Sequence, residues 1–103
     1  EKTMQKWIYD LPLLALAWGH LAKAADIEAG KAKATVCVAC HGVDGKASAP
    51  VYPHLAGQNA AYLLKQMKAF KEGSRTEPLM APFMAMLTEA DMENLAAYYA
   101  SLK

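Results

Sequence analysis

Hydrophobic residues recur with the spacing of an α-helix in three stretches of this chain. The first stretch covers residues 26–36, and Asp26 can cap its amino-terminal end. The second covers residues 59–72, where Asn59 can act as the cap and Gly73 can end the helix. We expect this second helix to bury one side of its surface, formed by Tyr62, Leu63, Gln66, Met67 and Phe70.

The third helical stretch begins at Thr88, which can form a capping box with Asp91. Its apolar side consists of Leu95, Ala96, Tyr98, Tyr99 and Leu102. Residues 42–57 and 74–87 contain the glycines and prolines that interrupt helices, so both stretches are predicted to be loops. Loops of this length in a small domain usually wrap around something. The pattern therefore predicts an all-α domain with two long loops.

Composition narrows the class of protein. The 103 residues are enough for one domain, and helix-forming alanine, leucine, lysine and glutamate dominate them. The 11 basic and 10 acidic side chains nearly cancel, so charge provides no strong case for nucleic-acid binding.

The amino-terminal stretch differs from the rest. An apolar run at 11–18 follows two lysines, and residues 22–24, Ala-Lys-Ala, fit the small-x-small rule for signal cleavage. Residues 4–24 therefore resemble a secretory signal peptide, which predicts export to the periplasm. The run is too short to span a bilayer, and Asp10 interrupts it early. A second interpretation is that residues 1–24 form an added helix with a packing role.

One short motif carries the chemistry, and it reads Cys37-Val38-Ala39-Cys40-His41. Two cysteines three positions apart, followed at once by histidine, are the attachment signature of a c-type haem. Each cysteine adds to one vinyl group on the same edge of the porphyrin, so the short segment between them must span both vinyls. The next residue then lies beneath the ring, where its imidazole can bind the iron.

Other interpretations of this motif are weaker. A zinc site usually has four ligands, and His41 is too close to Cys40 to share one tetrahedron with it easily. A redox dithiol normally follows a strand in a βαβ unit, and the chain shows almost no strand pattern. A disulfide between Cys37 and Cys40 would close a loop too short to stabilise the fold much.

From residue 25 onward the chain resembles a class I bacterial cytochrome c. It is most similar to the small periplasmic single-haem members, whose domain also recurs in the di-haem cytochromes. The resemblance is carried by Cys37-Val38-Ala39-Cys40-His41-Gly42, Pro53-His54-Leu55-Ala56-Gly57-Gln58, Tyr62-Leu63 with Gln66, Gly73-Ser74-Arg75, Met80 and Leu95-Ala96-Ala97-Tyr98-Tyr99. Residues 1–24 lie outside the family pattern.

The resemblance implies an all-α fold with three main helices, plus loops around one haem c. The haem would be covalently bound through Cys37 and Cys40, and the haem domain would cover residues 25–103. The first and last helices would cross almost at right angles. At that crossing Gly30 and Ala34 would meet Leu95 and Tyr98, which would explain a glycine inside a helix.

The resemblance also implies the surroundings of the haem. His41 would bind the iron on one side and a methionine on the other. The backbone carbonyl of Pro50 would accept a hydrogen bond from the His41 ring and so orient it. Candidates for contacts with the haem propionates are Tyr52, Gln58 and Arg75.

The second iron ligand has to be chosen among methionines. Met67 and Met92 fall in the apolar stripes of predicted helices, so they are expected in the core. Met80, Met84 and Met86 all lie in the loop before the last helix. Met80 is preferred because two prolines stiffen the chain around it, and because it precedes the last helix as the ligand does in the related domains. Met84 and Met86 are expected to pack against the haem and the last helix.

The function implied by the resemblance is one-electron transfer between periplasmic or membrane-bound respiratory partners, with no enzyme activity and no small-molecule substrate. The alternative is a haem enzyme or gas-binding protein of peroxidase-like type, with a labile sixth ligand. His54 would be its one spare histidine from residue 25 onward.

Charge and surface composition bear on the partners. From residue 25 onward eight basic and eight acidic side chains balance, so strong electrostatic steering of a redox partner is not expected. Docking would depend on a small apolar patch at the haem edge, for which the candidates are Val38, Ala39, Ala49, Val51 and Ala81. Self-association or membrane contact through residues 1–24 is a further expectation.

Overall fold

The structure, a computed structural model, describes residues 24–103, and every regular element in that range is helical. The α-helices are α1 (Ile27–Lys33), α2 (Val38–His41), α3 (Ala60–Glu72), α4 (Ala81–Ala85) and α5 (Glu89–Ser101), with a 3-10 helix (Ala34–Val36) after α1. The prediction of an all-α domain is confirmed. The predicted signal peptide or packing helix falls almost entirely within residues 1–23, outside the described residues.

The helix ends follow the predicted caps. The Asp26 side chain accepts a hydrogen bond from the Ala29 amide at 3.1 Å, and Asn59 caps α3 through the Tyr62 amide at 3.0 Å. Thr88 and Asp91 form the complete capping box at α5, with bonds of 3.0 and 3.1 Å. These side chains satisfy amide groups that have no partner inside their own helix, so local sequence is sufficient to place the three helix starts.

Two predictions about local structure are wrong. Tyr62 was expected in the buried stripe of α3, yet 49% of it is exposed, whereas its neighbour Leu63 is 7% exposed. The stretch 74–87 was expected to be a loop throughout, but it contains α4. Pro82 lies in the first turn of α4, where proline costs no hydrogen bond, and the buried Met84 anchors the helix.

The core is built on α5. Five of its residues are at most 8% exposed, namely Met92, Leu95, Ala96, Tyr98 and Tyr99. Helices α1 and α3 both pack against α5, and α4 packs against α3. Ala34, Leu63, Met84 and Leu87 complete the buried cluster. Met67 packs against this cluster too, so the prediction that Met67 and Met92 belong to the core is confirmed.

Gly30 lies where α1 approaches α5 most tightly. A Cβ atom on Gly30 would overlap the Asn94 carbonyl oxygen and would lie 2.9 Å from the Tyr98 Cβ. The Asp26 amide also donates to the Asn94 Oδ1 at 2.8 Å, which fastens the start of α1 to the same turn of α5. The expected contact between Gly30 and Tyr98 is therefore confirmed.

Residues 42–57 form a loop, as predicted, and hydrogen bonds fold it back on itself and onto α5. The Gly45 carbonyl accepts from the amides of Leu55 and Ala56 at 2.7 and 3.0 Å. The Gly57 amide donates to the Tyr99 carbonyl at 2.9 Å. These bonds place the loop beside α2 and α5. None of the helices in residues 24–103 has the length and apolar character needed to cross a membrane.

Candidate haem site

The two cysteines and the histidine of the motif lie on one turn of helix. The His41 amide donates to the Cys37 carbonyl at 2.9 Å, and the Cys40 amide donates to the same oxygen at 3.3 Å. Residues three and four positions apart on a helix share a face. Both thiols are half-buried and free of a disulfide, whereas His41 is 6% exposed. The motif therefore presents two thiols and one imidazole from a single short surface.

The His41 ring is oriented by the backbone of the long loop. Its Nδ1 donates to the Pro53 carbonyl oxygen at 2.9 Å. Because a carbonyl can only accept, the proton is on Nδ1, and Nε2 keeps its lone pair for a metal. Such an outer hydrogen bond fixes the tautomer of a ligating histidine and increases its basicity.

The acceptor for His41 was predicted to be the Pro50 carbonyl, and this prediction is wrong. Pro50 lies at an exposed turn, where the Tyr52 amide bonds to the Ala49 carbonyl at 3.1 Å. That turn reverses the chain, and the carbonyl that reaches His41 is the one three residues later, at Pro53. Every residue carries a carbonyl, so only the path of the loop selects the acceptor.

Two tyrosines stand beside the cysteines. The Tyr52 ring is tilted 60° to the His41 ring at a centroid distance of 6.4 Å, and hydrogen bonding with Cys40 raises the pKa of Tyr52. Burial raises the pKa of Cys37, with partial compensation from the neighbouring Tyr99 hydroxyl. Burial is also the main cause of the raised pKa of Tyr99. The thiols thus lie in a partly desolvated environment.

The Tyr99 hydroxyl is an unsatisfied polar group. It is buried, and among residues 24–103 it has no hydrogen-bond partner, although the Cys37 thiol lies beside it. Buried hydroxyls without a partner are uncommon and call for an explanation. A haem attached at Cys37 would place porphyrin atoms next to Tyr99. Because the vinyl edge of a porphyrin is hydrocarbon and offers this hydroxyl no acceptor, the fit to a covalently bound haem c rests on the two free thiols and on the His41 Nε2.

The proposed methionine ligand lies at the start of α4. Met80 is half-buried and packs against the core cluster, while its carbonyl accepts from the amides of Phe83 and Met84 at 3.1 and 3.2 Å. Met84 is 2% exposed, and Met86 is 65% exposed. The expected packing role of Met84 agrees with this burial, whereas Met86 does not pack into the core.

The remaining predicted haem contacts are engaged with protein groups. The Gln58 side chain accepts from the Asn59 amide at 2.9 Å. The Arg75 Nη1 donates to Gln66 Oε1 at 2.6 Å, and its guanidinium lies 4.5 Å from the centre of the Phe70 ring. Tyr52 is therefore the member of this predicted set that the structure places beside the His41 ring.

Sequence reasoning missed two residues of this site, Pro53 and Tyr99. Pro53 was indistinguishable from Pro50 as the residue whose carbonyl accepts the hydrogen bond from His41. Tyr99 was counted only as part of the apolar side of the last helix. Its spacing of four from Leu95 places it in the core stripe, and a tyrosine there is a signal for a buried hydroxyl that needs a partner.

In residues 24–103, no three His, Cys, Asp or Glu side chains converge on a possible metal site of the kind zinc requires.

Comparison with known proteins agrees with this geometry. The model of the cytochrome c family matches residues 27–103. Cytochrome c4 from Pseudomonas aeruginosa is 50% identical over 101 residues, which make up 97% of this chain and 50% of that protein. Cytochrome c-554(548) from Halomonas halodenitrificans is 46% identical over 81 residues, or 76% of this chain and 98% of that protein.

A solved structure shows the same fold. Reduced recombinant cytochrome c4 from Pseudomonas stutzeri superposes with a TM-score of 0.74 at 45% sequence identity, covering 78% of this chain and 47% of that one. The predicted class I cytochrome c fold is thereby confirmed. The chain spans about half the length of the cytochrome c4 proteins it matches.

Proposed function

This chain belongs to the cytochrome c family, and on that premise we propose that it is a one-electron carrier. Its haem c is attached through Cys37 and Cys40. When bound, the haem supplies an iron that is reduced and reoxidised by one electron. One observation carries the proposal: His41 is buried, its Nδ1 is held by the Pro53 carbonyl, and its Nε2 remains available to the iron.

The chain's own groups would set the properties of the redox centre. The Pro53 carbonyl holds His41 in one tautomer and one orientation, so little has to move when the charge changes. Burial of His41 keeps water away from that side of the centre. A low-dielectric environment disfavours the extra charge of the ferric form and so raises the reduction potential.

Met80 is the second residue proposed to hold the iron. Its position at the first residue before α4, half-buried and in contact with the core cluster, supports this assignment. Met86 is 65% exposed, and Met84 is enclosed by the core at 2% exposure. If His41 and Met80 both held the iron, it would have no open position for a substrate.

The haem-enzyme alternative would require a catalytic group beside an open iron position. His54 is the second histidine in the described part of the chain. Its Nδ1 accepts a hydrogen bond from the Ala47 amide at 2.8 Å, so the imidazole is used to hold its own loop together. This contact favours a structural role for His54, and it supports the carrier over the enzyme.

The partners would be redox proteins that dock briefly. The balanced charges of residues 25–103 suit docking through an apolar contact instead of steering by charge. Of the five patch residues proposed from sequence, Val51 is 79% exposed, Ala39 and Ala81 are also exposed, and Val38 and Ala49 are half-buried. Export to the periplasm is proposed from residues 4–24, and the haem domain is proposed to begin at residue 25.

A redox titration of the holoprotein tests the function. The expected result is one reversible step with the slope of a single electron, with an intact mass equal to the polypeptide plus one haem after denaturation. Carbon monoxide should bind slowly or not at all to the ferrous protein, because Met80 occupies the iron. Rapid carbon monoxide binding together with peroxide turnover would support the haem-enzyme alternative and overturn the proposal.

The ligand assignment has its own test. Met80→Ala should remove the near-infrared band of methionine-bound ferric haem, lower the potential and open the iron to cyanide. Met86→Ala is the matched control, since Met86 is in the same segment but exposed. If the band survives in Met80→Ala and disappears in Met84→Ala, the ligand is Met84, while the carrier function would stand.

A further inference from the structure

Lys71 makes an unusual set of contacts for a lysine on a helix surface. Its Nζ donates to three backbone carbonyls, those of Met84 and Ala85, each at 3.3 Å, and that of Leu87. Lys71 itself belongs to the last turn of α3. One ammonium group thus joins α3 to the end of α4 and to the residues that follow it.

Of these three carbonyls, that of Met84 also accepts from the Leu87 amide at 3.1 Å, whereas no backbone amide of residues 24–103 donates to those of Ala85 and Leu87. The last carbonyls of a helix have no intrahelical amide to bond, and a positive charge there is favourable. Helix α4 has only five residues, too few for a helix to be stable without tertiary contacts. The ammonium of Lys71 supplies contacts of this kind at the carboxyl end of α4, beside the buried Met84 side chain.

The other end of this same short helix is Met80. The Met80 carbonyl accepts from the Phe83 and Met84 amides, and the Met84 carbonyl accepts from the Leu87 amide, so two successive hydrogen-bonded turns connect Met80 to the carbonyls that Lys71 contacts. Movement of the end of α4 away from α3 would move Met80 with it. The ammonium of Lys71 therefore contacts the opposite end of the short helix that Met80 precedes.

We propose that Lys71 is a positioning residue that clamps α4 to α3 and thereby sets how often Met80 leaves the iron. This inference rests on the proposed ligand role of Met80. It assigns to Lys71 no contact with the haem and no part in electron transfer itself. Loss of the clamp should increase the rate at which the methionine dissociates while leaving it bound at equilibrium.

The experiment uses ferric holoprotein and measures the rate of cyanide or imidazole binding at saturating ligand, where methionine dissociation is limiting. Lys71→Met keeps the length of the side chain and removes its donors. We expect this rate to increase about tenfold, which is the size of effect expected when a charged donor that is exposed to solvent loses its hydrogen bonds. Lys71→Arg, which keeps donors and charge, should stay close to the wild type.

Two controls separate the clamp from general effects. Lys65→Met removes another exposed lysine of α3, and should leave the rate unchanged. Ala32→Gly weakens the fold in α1, far along the chain from α4, and should lower stability without changing the rate. The near-infrared band should persist in Lys71→Met, whereas it should be lost in Met80→Ala. The two variants therefore test the clamp and the ligand assignment separately.

Equal cyanide-binding rates in Lys71→Met and Lys65→Met would overturn the clamp. If Lys71→Met does not accumulate as holoprotein, Lys71→Gln, which is shorter and also uncharged, is measured against Lys71→Arg. A rate in Lys71→Gln equal to that of Lys71→Arg would likewise overturn it. An acceleration of the same size in Ala32→Gly would show that global stability, and not the clamp, controls methionine dissociation.

Discussion

The packing of α1 on α5 predicts that Gly30→Ala destabilises the domain, although alanine is the better helix former. The added methyl group would overlap the Asn94 carbonyl oxygen, and would lie 2.6 Å from the Asn94 carbonyl carbon and 2.9 Å from the Tyr98 Cβ. Two of these three atoms belong to the backbone of α5, so rotation of a side chain cannot relieve the overlap. The helices would have to move apart.

The expected size follows from two opposing effects. Overpacking costs about 1–3 kcal/mol, and a clash with backbone belongs at the upper end of that range. Replacing glycine by alanine inside a helix gains about 1 kcal/mol. The net loss is therefore about 2 kcal/mol, which corresponds to a decrease in Tm of roughly 10 °C for a domain of this size. Separation of the helices would also strain the bond from the Asp26 amide to Asn94.

The assay is equilibrium unfolding of the holoprotein in denaturant, followed by far-ultraviolet circular dichroism. Ala32→Gly is the matched control, because Ala32 is exposed on the same helix and its replacement should cost only about 1 kcal/mol of helix propensity. The reasoning is refuted if Gly30→Ala is as stable as the wild type, or if it loses less stability than Ala32→Gly.

Three further predictions concern the capping box, the haem linkage and the partners. The Thr88 amide holds the pKa of Asp91 below its ordinary value, so Asp91→Ala should cost about 1 kcal/mol at neutral pH. That cost should begin to shrink as the pH falls below the ordinary carboxyl pKa of about 4 and should vanish only below the lowered pKa of the folded protein, where Asp91 is protonated; denaturant melts at each pH would show it, and a constant difference would contradict it. Cys37→Ala or Cys40→Ala should weaken or abolish maturation, and a normal yield of doubly linked haem in either variant, seen by mass spectrometry, would end the thioether interpretation. Stopped-flow rates of electron transfer should depend weakly on salt, because the charges of residues 25–103 balance, whereas a steep decrease at high ionic strength would indicate steered association.

Local sequence determined the features that depend on neighbours along the chain. The caps at Asp26, Asn59 and Thr88 could be predicted because a side chain bonds to an amide three residues later, whatever the rest of the fold does. The haem motif could be predicted for the same reason, since the spacing of Cys37, Cys40 and His41 on one turn decides which groups face one surface.

Tertiary structure decided the features in which several residues were locally equivalent. Pro50 and Pro53 both offer a carbonyl near His41 in sequence, and only the reversal of the loop selects Pro53. Tyr62 and Leu63 are adjacent apolar residues, and the orientation of α3 on α5 buries only the second.

Helix α4 and its contacts with Lys71 likewise could not be predicted from the local sequence. The five residues of α4 are too few to show a helical period, and the prolines and methionines of residues 74–87 are typical of a loop. The helix exists because Met84 is enclosed by the core and because Lys71, from another helix, bonds to the carbonyls at its end. A lysine 13 residues before Met84 carries no local sign of that role. Such contacts arise only when packing brings distant segments together, and for that reason no pattern along the chain could reveal them.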